Sequence, residues 1–279
     1  MELQETNCLN CNANDFKLFD TENGFNLVKC NKCGLLYVNP RPSDNEITAA
    51  MTTGLHKGEQ ELNVTNKFNE GLISRYPVIF KDFYKDGELE GKSWLDIGCG
   101  NGELLIALKK YTNDKIKVRG SEPNLKKMEI ARKFGLDVSF IDLDKEETKY
   151  DVISFLNVFS HLPYPVATIK KWGALLKPGG ELFLETGNSS HLSQKHHGKP
   201  YLLPDHLSFA DKDIMVDLIA KCGFKVLHLE VYRGIYDLKI NPYNISKEFV
   251  KFLIGRRNRF LTFFEKYHHG DMYIRAKKI

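Results

Sequence analysis

The chain has 279 residues, 42% of them hydrophobic and 27% charged, with a formal net charge of +4. That length holds one or two domains, and the composition can bury a core, which excludes global disorder. The charge balance is too mild to demand a nucleic-acid partner, and no apolar run reaches the ~20 residues that span a bilayer. The polar start, MELQETNCLN, is unlike a secretory signal, so a cytoplasmic protein is expected.

Residues 1–42 read as a unit of their own. Four of the six cysteines, Cys8, Cys11, Cys30 and Cys33, follow the spacing C-x2-C-x18-C-x2-C. Four thiolates at that spacing make a closed tetrahedral site, so structural zinc is expected rather than a disulfide framework. Between the two cysteine pairs, FKLF and FNLV flank the turn signal DTENG, which predicts a hairpin. A metal would fold a unit too small to hold itself by burial. A nucleic-acid-binding ribbon is the rival reading. Its local basic residues are matched by acidic ones, which leaves a poor electrostatic footprint.

Residues 43–91 are expected to be a helical connector or lid. Ser43 and Glu46 have the spacing of a capping box, and a second helix is predicted from about Asn63 to Tyr84, kinked or split at Pro77. From Lys92 the pattern alternates strand and helix. SWLDIG, KVRGSE, DVSFID, YDVISFLNV and ELFLET are strands, separated by the helices ELLIALKKY, NLKKMEIARKFG and VATIKKWGALLK. A polar, His-rich loop (188–208), a helix (211–222), the strand KVLHLEVY, a basic helix (246–268) and the strand DMYIRAKK complete the chain. This is the rhythm of an α/β fold, a mostly parallel sheet with helices on both faces.

The strongest motif is Leu95-Asp96-Ile97-Gly98-Cys99-Gly100-Asn101-Gly102. A buried strand runs into a glycine turn at the sheet's C-terminal edge, where backbone can approach a ligand closely. The pattern is G-x-G-x-G with Glu103 next, and a pyrophosphate would sit poorly against that carboxylate. Glu122, at the end of the second strand, suits a ribose diol, because one carboxylate can accept from two hydroxyls.

On these residues, residues 92–279 resemble the class I S-adenosylmethionine-dependent methyltransferases. LDIGCGNG stands as their first motif, SEPN as their second, YDVISFLNVFSHLPYP as their fourth strand and the helix after it, and LLKPGGELFLET as their fifth strand. The resemblance implies a Rossmann-like seven-stranded sheet with DMYIRAKK as its antiparallel last strand. It also implies a cofactor site that includes Asp96, Gly98, Cys99, Gly100, Gly102, Glu122, Pro123, Asp142 and Asn157. VKCNKCGLLYVNPRPSDNEI and LPDHLSFADKDIMVDLIAKCGF resemble a bacterial subgroup with a zinc-ribbon preface, whose members often act on small molecules such as the sugars of surface polysaccharides.

The expected activity is therefore methyl transfer to a small polar acceptor, a hydroxyl of a nucleotide-linked or surface-polysaccharide sugar. Alternatives are a sugar C-methyltransferase, a ribosomal or transfer RNA methyltransferase using the ribbon, and a cofactor-binding scaffold. Asn157-Val158-Phe159-Ser160 is not the Asn/Asp-Pro-Pro-Tyr run of exocyclic-amine methylation, which argues against base methylation. A hydroxyl must lose its proton, so a histidine is expected near the sheet edge. His206 is favoured and His161 comes second, ahead of His191, His196 and His197. Asp205 is expected to point away from His206. The basic helix GRRNRFLTFFEKYHH reads as core packing under a solvated basic face, with a homodimer surface as one alternative.

Overall fold

The computed structural model describes residues 1–64, 67–232, 242–256 and 270–279. The N-terminal part contains β1 (Leu3–Gln4), β2 (Phe16–Glu22), β3 (Phe25–Cys30), β4 (Leu36–Val38) and β5 (Arg41–Pro42). Then come α1 (Asp44–Thr53), β6 (Leu55–His56), β7 (Leu62–Asn63) and α2 (Glu70–Phe83). The alternating part is β8 (Ser93–Ile97), α3 (Glu103–Tyr111), β9 (Lys117–Ser121), α4 (Leu125–Lys133), β10 (Val138–Ser139), β11 (Tyr150–Leu156), α5 (Pro165–Gly173) and β12 (Leu176–Gly187). The chain closes with β13 (Ser208–Phe209), α6 (Lys212–Lys221), β14 (Phe224–Tyr232), α7 (Pro242–Leu253) and β15 (Asp271–Lys278). No helix among the described residues is long and apolar enough to cross a membrane.

Seven strands form one sheet in the order β10-β9-β8-β11-β12-β15-β14. The first four pairings are parallel, and β15 runs antiparallel to both neighbours. Parallel neighbours need crossover helices, so both faces of the central strands are covered. On one face Leu95, Ile97, Ile153 and Phe155 pack with Ile169 of α5 and Met215 and Leu218 of α6. On the other, Ile79, Phe80 and Phe83 of α2 pack with Trp94, Val152, Phe183 and Leu108.

The N-terminal hairpin forms as its turn signal predicts. Asn23 (φ 54°) and Gly24 (φ 81°) make a two-residue turn between Glu22 and Phe25, and positive φ at both positions suits Asn-Gly. This sheet is not made of N-terminal residues alone, because β13 pairs with β4 to give the order β13-β4-β3-β2. Its core also merges with the first face of the large sheet: Cys8, Val28, Cys30 and Tyr37 belong to the same buried cluster as Leu95 and Phe155.

Several expectations need correction. Helix α1 starts after Ser43 as its sequence suggests, but the Ser43 side chain makes no cap, and its buried hydroxyl has no partner. Arg41, fully buried, instead donates to Asp44 in the first turn at 2.9 Å. The second helix begins at Glu70, capped by Asn69, because Leu62–Asn63 pairs with Leu55–His56 as strand; Pro77 is accommodated inside it. Within β12 the PGG segment bulges out of the ladder: Gly179 has a φ of 71°, and the register against β11 shifts between Tyr150 and Val152. DVSFID keeps only Val138–Ser139 in the sheet. Most of the basic helix, residues 257–269, lies outside the described residues, and so does the dimer reading that rests on it.

Arg275 of β15 ties α2 to the sheet. Its guanidinium donates to both oxygens of Glu181 at 2.9 and 3.0 Å, to the Phe83 carbonyl at 2.6 Å and to Glu88, and it stacks on Tyr84. Removing one partner of a buried ionic network leaves the others uncompensated. Arg275→Met should therefore lower the unfolding free energy by about 3–5 kcal/mol, measured by urea titration.

Candidate functional site

Strands β8, β9, β11 and β12 all end at one edge, and the candidate residues gather there. Gly98 and Gly102 have φ of 71° and 90°. A Cβ on Gly98 would meet Val158 at 2.6 Å, and one on Gly102 would meet Leu136 at 2.3 Å, so the turn closes tightly against its surroundings. Glu122 is buried and holds two loops at once. It accepts from the Gly100 amide at 2.8 Å and from the Asn124 amide at 2.9 Å. Each carboxylate oxygen can accept a second hydrogen bond.

A cavity of about 560 Å³ opens over this edge. Gly98, Glu122, Pro123 and Asn157 line it from the sheet, Phe140, Ile141 and Leu143 form an apolar wall, and Ala50, Gly54 and His56 close it from α1 and β6. The volume lies in the range of small-molecule sites.

Three predicted residues sit differently. Asp96 is buried inside the sheet, where it accepts from the Ser154 hydroxyl at 2.6 Å; that oxygen accepts from the Trp94 indole at 2.7 Å. Burial outweighs the Ser154 bond and pushes Asp96 up to about 7. The Cys99 thiol is buried too, and a Cβ on Gly120 would meet its sulfur at 2.6 Å. Asp142 is exposed and paired with Lys145 at 2.8 Å, outside the cavity lining.

The histidines separate by environment. His191 is exposed, His196 pairs with Ser193, and His197 packs its ring against Phe19, Tyr201 and Phe209. His161 lines the large cavity and approaches the Asp205 carboxylate at 3.0 Å. His56 approaches the same oxygen from the other side at 3.0 Å. Asp205 thus pairs not with the adjacent His206 but with the histidine 44 residues back in the chain, whose Nδ1 also meets the Asp205 carbonyl at 2.9 Å. Burial disfavours charge on both partners, yet their mutual attraction prevails, lowering the Asp205 pKa and raising that of His161. His206 donates from Nδ1 to the Tyr201 carbonyl at 2.9 Å, which makes Nδ1 the protonated nitrogen. Burial and the neighbouring His161 push its pKa down to about 4, so the ring is neutral near pH 7.

A second cavity of about 280 Å³ shares Asn157 with the first. Ser160, Glu185, Asn188, His206, Ser208 and Asp271 bring polar groups to a lining that also includes Phe209 and three glycines. Burial and Asp271, partly offset by Arg75, push Glu185 up to about 8. Glu185 and His56 were not legible as site residues. The only signal for Glu185 is an acid at the C-terminal end of an apolar strand, and for His56 there is none.

The four N-terminal thiols converge. Their sulfur atoms lie within 4.8 Å of one another, with Cys8–Cys33 at 3.4 Å and Cys11–Cys30 at 3.6 Å. Four thiolates so close repel one another unless a cation sits among them, so the donor set fits a tetrahedral metal. His161, Asp205 and His206 also offer three ligand atoms within 4.8 Å, but the His161–Asp205 hydrogen bond already accounts for much of that proximity.

A family model described as a methyltransferase domain matches residues 72–229, more than half of the chain. The chain belongs to the class I S-adenosylmethionine-dependent methyltransferases. Among curated proteins it is similar to a ubiquinone biosynthesis O-methyltransferase of Nitrosococcus oceani, 36% identical over 122 residues, covering 40% of this chain and 50% of that one. The protein of the same description from Salmonella arizonae is 29% identical over 129 residues, covering 43% and 49%. The chain thus spans about half the length of these relatives. Among solved structures, mycolic acid cyclopropane synthase with S-adenosylhomocysteine aligns at a TM-score of 0.52 and 18% identity, covering 73% of this chain and 84% of that one. The [4+2]-cyclase SpnF aligns at 0.50 and 19%, covering 73% and 80%. At such identity these structures speak for the fold alone.

The His161–Asp205 pair makes stability depend on pH in a defined window. The raised His161 pKa contributes fully below its unfolded value of about 6.5, and that contribution fades as pH rises through the folded value. The lowered Asp205 pKa contributes fully above about 3.9 and fades as pH falls through the folded value. Asp205→Asn should therefore lose most stability relative to wild type between about pH 4 and 6.5, with the difference shrinking above that window in urea titrations across pH.

Proposed function

We propose that the chain transfers the methyl group of S-adenosylmethionine to a hydroxyl of a small polar acceptor. The observation that carries this reading is the pair of cavities meeting at Asn157, one beside the glycine turn and Glu122, the other lined by His206 and Glu185. When bound, the cofactor supplies an electrophilic methyl group on a sulfonium. The glycine turn at Gly98–Gly102 borders its methionine portion. Glu122 accepts from the ribose hydroxyls with its two remaining acceptor positions, and Phe140, Ile141 and Leu143 cover the adenine. Asp142, paired with Lys145 outside the lining, is not needed for this arrangement.

The acceptor hydroxyl gives its proton to a histidine. The lowered pKa of His206 makes it the weaker proton acceptor, while Asp205 supports charge on His161. His161 is therefore the proposed base, and neutral His206 orients the acceptor. Alignment of acceptor and methyl, with water excluded, can supply roughly 7–11 kcal/mol of the barrier reduction.

For the acceptor, the serine, asparagine and carboxyl side chains that reach the smaller cavity support a sugar hydroxyl, nucleotide-linked or in a surface polysaccharide. A phenolic hydroxyl is the second reading, favoured by what the curated relatives are called. Release of S-adenosylhomocysteine with sugar nucleotides but not with catechols would support the first; turnover of catechols alone would replace it with the second. With the active acceptor, His161→Ala should cut turnover about 100-fold or more. Glu122→Ala should weaken S-adenosylhomocysteine binding by about 1–3 kcal/mol in calorimetry.

Zinc is the proposed occupant of the Cys8, Cys11, Cys30 and Cys33 site. With no open position its role is structural. Metal analysis of protein purified without chelator should find one zinc per chain, and Cys30→Ser should lose both the metal and thermal stability.

A further inference from the structure

The loop that carries Asp205 and His206 takes its shape from the N-terminal hairpin. The amides of Tyr201 and Leu203 both donate to one carboxylate, Glu22, at 2.8 and 3.1 Å. Glu22 ends β2, immediately before the Asn23-Gly24 turn. Beside it, Asp20 accepts from the Tyr201 hydroxyl at 2.6 Å and pairs with Lys199, and the Asn23 side chain donates to the Leu203 carbonyl at 3.0 Å.

Between the two amides held by Glu22 lies Leu202, whose φ is 61°. A branched residue rarely adopts the left-handed region, and such a conformation persists where the surroundings over-determine it. That conformation aims the chain at the site. The Leu202 carbonyl accepts from the amides of Asp205 at 2.9 Å and His206 at 3.2 Å, and the Tyr201 carbonyl bonds the His206 ring at 2.9 Å. One carboxylate on the hairpin therefore sets the peptide whose carbonyls hold the His206 ring and the amides of Asp205 and His206. Downstream, Leu207 donates to the Ser160 carbonyl at 2.7 Å, and β13 pairs with β4.

We propose that Glu22 is a positioning residue for the ligand site: by clamping the Tyr201 and Leu203 amides it places Asp205 and His206, so the N-terminal hairpin is the template of the acceptor-side loop. This builds on the proposed role of those two residues, but its test reads the imidazole directly and needs no acceptor. Glutamine at position 22 keeps one acceptor oxygen and replaces the other with a donor, so one of the two amides loses its partner.

The experiment is ¹⁵N NMR of histidine-labelled full chain with S-adenosylhomocysteine, titrated with acid. In wild type the His206 ring, faced by His161, Asp205, His56 and the Tyr201 carbonyl, should stay a single Nδ1-protonated tautomer and charge only near pH 4. In Glu22→Gln its titration should move up by about one unit or more towards the ordinary ~6.5, with both tautomers visible. S-adenosylhomocysteine affinity should stay within about twofold, since Glu22 is outside the lining of that cavity. Tyr201→Phe, which keeps both backbone bonds to Glu22 and loses only the Asp20 contact, should leave His206 near its wild-type titration.

An unchanged His206 in folded Glu22→Gln would overturn the proposal. So would an equal shift in Tyr201→Phe, which would move the role to the Asp20 contact. Should Glu22→Gln not fold, amide exchange of the wild type decides: the Tyr201 and Leu203 amides should exchange with the β2–β3 amides, and their independent, faster exchange would overturn the clamp.

Discussion

The constraint on which the rest of this molecule depends is that the five parallel strands must end at the same edge. Parallel pairing needs a crossover after each strand, so every loop that follows β8, β9, β11 and β12 opens on one side of the sheet. Gly98, Glu122, Asn157 and Glu185 are far apart in the chain, and each is at or just beyond a strand end. Their convergence follows from topology before any side-chain contact is made. Glu122 then fixes the edge by holding the Gly100 and Asn124 amides, so the glycine turn and the start of α4 keep one spacing.

Buried charge is used in two different ways. Asp96 and Glu185 are desolvated carboxyls whose pKa values rise, to about 7 and 8, since neither has a close cationic partner that outweighs burial. Asp205 is also buried but carries the charge, because two histidines meet it at 3.0 Å. The outcome at His206 follows from the same field. A buried ring already beside His161 cannot charge easily, so burial first and that neighbour second drive His206 away from the cation while Asp205 draws His161 towards it.

The N-terminal unit is joined to the larger sheet by more than a linker. β13 completes its sheet, its cysteine end packs on the same core as α6, and Asn10 and Lys221 share Asp217. A metal held by the four cysteines would therefore stiffen the platform against which the site loop is built.

Much of this was legible in the sequence. The strand–turn–helix rhythm, the glycine turn, the acid after the second strand and the cysteine spacing are local patterns, each produced by backbone geometry or ligand chemistry within a few residues. Hence the mostly parallel sheet, the Asn23-Gly24 hairpin and the clustering of Cys8, Cys11, Cys30 and Cys33 match what those patterns predict, and the seven strands with an antiparallel last one match what the family resemblance implies. Tertiary structure decided the partners. Asp205 had a histidine beside it in sequence and bonded another 44 residues away, because successive residues of an irregular loop point in different directions. Asp96 turned inward to Ser154 on the adjacent strand, a choice set by parallel register. Glu22 found the Tyr201 and Leu203 amides 179 and 181 residues further along the chain. Local pattern specifies which elements form, whereas a lone polar side chain carries no record of the backbone groups that the fold will bring to it.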